Sequence, residues 1–78
     1  MRTVDDQMNL NYEVIVSEER DFDGTVYYVA FHEELFGIEG VGDTKEEAIQ
    51  DLKQSKEIWF RNMIENDDYV PLPKNFER

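Results

Sequence analysis

The sequence predicts an α+β fold: a three- to four-stranded, mostly antiparallel sheet with one helix packed on it, in the order β-β-β-α-β. Three observations predict it. Apolar residues alternate in the first half of the chain, the period of a strand. An Asp-Gly turn signal separates two such runs. Beyond Gly42 the apolar spacing lengthens to three or four residues, and Thr44 with Glu47 three positions later marks a helix start.

Each element follows from local chemistry. Residues 1–8, MRTVDDQM, are polar and aperiodic and read as a disordered tail, with Met8 an alternative start. Residues 9–73 form the domain. In residues 10–17, Leu10, Tyr12, Val14 and Val16 share one face of a half-buried strand. Asp23-Gly24 turns the chain, because glycine takes positive φ without steric cost. The second strand, residues 26–31, is apolar on both faces, which predicts a central strand covered on each side. A short third strand spans residues 38–42, where the glycines admit a bulge or a close backbone approach.

The helix is expected from Lys45 to Asn66. Thr44 and Glu47 make a capping box, and Asp43, Glu46 and Glu47 complement the helix dipole. Ala48, Ile49, Leu52, Trp59, Phe60, Met63 and Ile64 form its apolar stripe, which places Trp59 in the core. Residues 69–72 read as a short edge strand, the one place in a sheet where Pro71 is tolerated. Residues 74–78 read as a C-terminal tail.

The charge narrows the partners. Nineteen acidic and eight basic side chains give a net charge of −11 over 78 residues. That opposes direct binding to nucleic acid and to anionic lipid, both of which need Lys and Arg. It suits a basic protein, or it serves solubility alone. The chain contains no cysteine, no apolar run long enough for a membrane span and no signal-peptide core, so it reads as cytoplasmic.

The candidate chemistry is sparse. His32 is the lone histidine, beside Glu33 and Glu34 at a strand end, and lacks an evident acid–base partner. Ser17 and Ser55 sit in no nucleophile motif. DFDG, residues 21–24, lacks the further ligands of a calcium loop. Glu33, Glu34, Glu39 and Asp43 offer carboxylates of the kind that hold catalytic magnesium, but clustering is expected in so acidic a chain. The reading is therefore no catalytic residue, no cofactor and no metal. The aromatic residues are flanked by acidic rather than basic side chains, which favours a core or a protein interface over base stacking.

Several blocks occur in a recognisable series: Asp23-Gly24, then Tyr28-Val29-Ala30-Phe31, Leu35-Phe36-Gly37, Gly42-Asp43-Thr44-Lys45-Glu46-Glu47-Ala48 and Val70-Pro71-Leu72-Pro73. In that order, from Tyr12 to Pro73, they resemble the HicB-like antitoxin family. Phe31-His32 and Leu35-Phe36 stand where the family usually has Phe-Pro and Leu-Pro. The resemblance implies a partial ribonuclease-H-like fold that does not cut. It implies a partner, a small basic toxin ribonuclease (HicA-like), whose active site the domain blocks, and it implies self-association. No DNA-binding domain follows Pro73 in this sequence.

The function expected is thus an antitoxin-like module that masks a small basic toxin ribonuclease without a DNA-binding domain of its own. Its partner surface is expected at the hairpin and the loop after the second strand, through Asp21, Asp23, Glu33 and Glu34, with Tyr27 or Phe36 as anchor. The alternative is a stand-alone structural or regulatory homo-oligomer. A metal-dependent nuclease is a third reading.

Overall fold

A computed structural model describes residues 3–73. The elements are α1 (Val4–Met8), β1 (Ile15–Arg20), β2 (Val26–Phe31), β3 (Glu39–Gly42) and α2 (Lys45–Glu65). The strands form one antiparallel sheet in the order β1-β2-β3, so β2 is central, as its apolar composition predicts. The fold is the expected α+β arrangement, a sheet with a helix packed on it.

Gly24 makes the tight β1–β2 turn at φ +89°, and its N–H donates to the Asp21 carbonyl at 2.9 Å. Thr44 caps α2 through the predicted box: its side chain accepts from the Glu47 N–H at 3.1 Å, and the Glu47 carboxylate accepts from the Thr44 N–H at 3.2 Å. The helix ends where the Asp68 N–H reaches the Met63 carbonyl at 2.8 Å and the Asp67 N–H reaches that of Ile64 at 3.2 Å. This is a Schellman closure, and Asp67 occupies its left-handed position at φ 57°.

The sheet meets α2 with little between them. A β-carbon added to Gly40 would lie 2.1 Å from the Leu52 nitrogen and 2.2 Å from the Ala48 carbonyl oxygen. The close backbone approach is therefore the role of this glycine. Ala30, Ala48, Leu52, Leu35, Ile38, Phe60 and Tyr12 fill the buried core.

Four expectations are corrected. Within the segment read as a disordered tail, Val4–Met8 is helical, capped by Thr3 and Asp6. Five residues do not hold a helix in isolation. Val4 and Met8 pack against the core and Gln7 is fully buried, so tertiary contact orders what composition reads as a tail. The first strand begins at Ile15 rather than residue 10: Tyr12 is buried but Val14 is exposed, so the alternation before Ile15 does not come from pairing. Residues 69–72 form no strand; the Pro71 carbonyl instead accepts a hydrogen bond from the Tyr12 hydroxyl. Trp59 is 43% exposed, and α2 buries its neighbour Phe60 completely instead. The expected C-terminal tail, residues 74–78, lies outside the described residues.

Candidate protein-binding face

Alternation along the three strands separates two faces. Even-numbered residues, including Val16, Tyr28, Ala30, Gly40 and Gly42, look toward α2. Odd-numbered residues look the other way: Ile15, Ser17 and Glu19 on β1, Tyr27, Val29 and Phe31 on β2, Glu39 and Val41 on β3. The Ser17 hydroxyl donates to the Glu19 carboxylate along this face. Helix α1 packs on α2 instead. Among the described residues, no helix or strand lies over this second face. The expectation that β2 is covered on each side is thereby corrected, since among the described residues α2 alone packs on the sheet and it covers one face.

The centre of the open face is apolar. Ile15, Tyr27, Val29 and Phe31 are each partly exposed and Val41 is 50% exposed, while Glu19 and Glu39 stand at opposite corners. Two hollows adjoin its far end. One, of about 650 Å³, is lined by Tyr12, Glu13, Val14, Ile15, Glu33 and Glu34. The other, of about 320 Å³, includes Phe31, His32, Phe36 and Glu39.

The two layers differ in charge. Residues 11–44, which hold the sheet and its loops, carry nine carboxylates and one cation, Arg20, a net of −8. Helix α2 carries five carboxylates and four cations, a net of −1. The negative field of the molecule is thus concentrated on the sheet side.

The predicted site residues divide into two groups. Asp21 and Asp23 lie at the hairpin tip, where the Asp23 carboxylate accepts from the Thr25 N–H at 3.0 Å. That bond, with a contribution from the Thr25 hydroxyl, holds the Asp23 carboxyl below the usual aspartate range. Tyr27 follows on the open face. Glu33, Glu34 and the fully exposed Phe36 lie beyond the other end of β2. Six strand residues, roughly 20 Å, separate the two groups. They form no single cluster, and the open sheet face runs between them. Sequence reasoning did not select Ile15, Val29, Phe31 or Val41 for a site. The available signal was the doubly apolar β2, in a chain with one long helix to cover it.

His32 takes no part in an exposed site. Its ring is buried, and Nδ1 lies 2.7 Å from the Glu13 carbonyl oxygen, to which it donates. Buried Nε2 has no hydrogen-bond partner among the described residues. Among those residues, no group of three or more His, Cys, Asp or Glu side chains is placed to hold a metal ion. No helix among them is long and apolar enough to cross a membrane.

These features define a small two-layer α+β protein that presents one uncovered apolar sheet face in an acidic layer. The chain is 36% identical over 72 residues to the UPF0150 protein ssr1765 of Synechocystis sp., an alignment that covers 92% of this chain and 84% of that protein. It belongs to the UPF0150 family. No family model and no solved structure matches it.

Proposed function

We propose that this protein is a non-catalytic, antitoxin-like binding module of the cytoplasm that neutralises a small basic toxin ribonuclease by masking it. The observation that carries the reading is the open apolar face set in a layer of net charge −8. Such a surface suits a partner with complementary positive charge, because opposite potentials steer encounter and the apolar centre supplies area to bury. The relation of the UPF0150 family to HicB-like antitoxins supports it, as does the series of blocks from Asp23-Gly24 to Pro73. The test is capture from the lysate of the native host, eluted with rising salt. A single small basic protein with ribonuclease activity that the bait inhibits supports the reading. Inhibition of no such enzyme sets it aside.

A second reading, a stand-alone homo-oligomer, is favoured by a different feature. The N–H of Val41 on the outer edge of β3 donates to the Asp51 carboxylate of α2 at 2.9 Å, so that edge is closed from within. Among the described residues, the edge of β1 has no such cover. The Asp21 N–H bonds the Thr25 carbonyl, and bonded pairs alternate along an antiparallel ladder, so Val16, Glu18 and Arg20 direct their backbone groups outward. One free edge per chain permits a closed pair of copies joined strand to strand. Light scattering across a concentration series tests it: a constant monomer mass removes this reading.

A further inference from the structure

We propose that the uncovered sheet face docks one cationic amphipathic α-helix of a partner protein. The inference rests on the binding-module reading above and names the element of the partner that the face accepts.

The dimensions select a helix. Three strands span two interstrand spacings, roughly 10 Å, which is about the diameter of one α-helix with its side chains. The six residues of β2 give the face a length of roughly 20 Å, matched by about fourteen helical residues. On the opposite face the chain's own α2 already packs on β2 and β3. A helix laid on the open face completes a three-layer arrangement and covers Ile15, Tyr27, Val29, Phe31 and Val41.

The charges select the sign of its flanks. The two charged residues of the face, Glu19 and Glu39, are both acidic and lie at diagonal corners. Arg20, the lone cation of residues 11–44, is even-numbered and looks toward the helix side. A helix with Lys or Arg on either side of an apolar stripe meets this pattern. A second copy of the chain does not, because face-to-face packing would oppose two layers of net charge −8 without a cation on either face.

The test titrates the purified protein with an 18-residue Leu/Lys peptide of helical periodicity, against a scrambled peptide of the same composition. Binding of the periodic peptide is expected to be at least about tenfold the tighter. Val41→Glu should weaken it at least about tenfold, and the uncharged Val41→Ser several-fold. Ile58→Glu is the control: it adds the same charge at a site 63% exposed on α2 and should leave binding unchanged. Equal affinity for both peptides, or equal behaviour of Val41→Glu and Ile58→Glu, reduces the interaction to net charge and overturns the proposal. So does a dimer of the free protein that Val41→Glu dissociates, which would assign the face to a second copy. The two readings fail separately. A basic ribonuclease inhibited equally by wild type and Val41→Glu leaves the antitoxin reading standing and removes this face. A periodic peptide that binds as expected, with no such ribonuclease inhibited, removes the antitoxin reading alone.

Discussion

The hydroxyl of Tyr12 accepts a hydrogen bond from the Gln7 side-chain amide and donates one to the Pro71 carbonyl. The same ring lies 6.1 Å from that of Phe60 and 5.4 Å from that of His32, centroid to centroid. One residue thereby ties α1, α2 and the segment after α2 to the end of the sheet. Its neighbours include a half-buried amine: Lys56 Nζ lies 5.9 Å from the Tyr12 ring centroid, and burial lowers its pKa, assisted by Lys53. His32 is also held toward its neutral form. Burial is the main cause and Lys56 assists, opposed by the Glu13 carbonyl bond and by Glu34. Above the ordinary histidine value of 6.5 both folded and unfolded states are neutral, and the full stability is present. As pH falls below that value the unfolded chain takes up the proton first, so stability declines. The unfolding free energy from urea melts between pH 7.5 and 5.5 should fall with a slope of at most about 1.4 kcal/mol per pH unit. His32→Gln, less stable throughout, should lose that slope; retention of it would assign the acid sensitivity to other groups.

At the scale of elements, the contact between β3 and α2 depends on the missing side chain of Gly40. Leu52 and Ala48 offer backbone atoms there, and backbone atoms cannot swing away as a flexible side chain can. Gly40→Ala should therefore cost at least about 3 kcal/mol, the upper end of overpacking penalties, read as a shift of the denaturant midpoint. A loss under 1 kcal/mol would mean that α2 slides on the sheet at little cost. The sequence made this contact half legible: glycine at residue 40 signalled either a bulge or a close approach, and only the location of α2 decides between them. The hairpin, β2 and the start of α2 were legible because Asp23-Gly24, the doubly apolar run and the Thr44–Glu47 box act locally. Helix α1 was not, since its order comes from Val4, Met8 and Gln7 packing on residues distant in sequence. The candidate site was legible in chemistry but not in place. Asp21, Asp23 and Phe36, which the acidic and aromatic chemistry of the sequence offers to a partner, are exposed. That they flank an open face, rather than meet, depends on the strand order.

For the whole molecule, a small core faces a large uniform charge. A chain of 78 residues buries a modest fraction of its surface, and its net charge of −11 repels itself most strongly in the compact state. The repulsion is uneven, because the sheet layer carries most of the charge while α2 interleaves cations and carboxylates, as in the exposed Glu57–Arg61 pair at 3.3 Å. Salt should therefore stabilise the fold. Between about 10 mM and 150 mM sodium chloride the Debye length shrinks from roughly 30 Å to roughly 8 Å, shorter than the 25 Å middle dimension of the molecule. Like charges across the sheet layer then cease to interact, whereas the loss from screening an exposed i,i+4 pair is under about 0.5 kcal/mol. The melting temperature should rise by several degrees over that range, since about 1 kcal/mol moves the midpoint of a domain this size by roughly 4–8 °C. Neutralising Glu19 and Glu39 together should raise the low-salt midpoint and shrink the salt response, because both sit in the layer where repulsion accumulates. Neutralising Glu57 and Glu65 on α2 should do less. A flat melting profile in salt, or a larger effect from the helix pair, would show that the field of the sheet layer is balanced by neighbours and not by water.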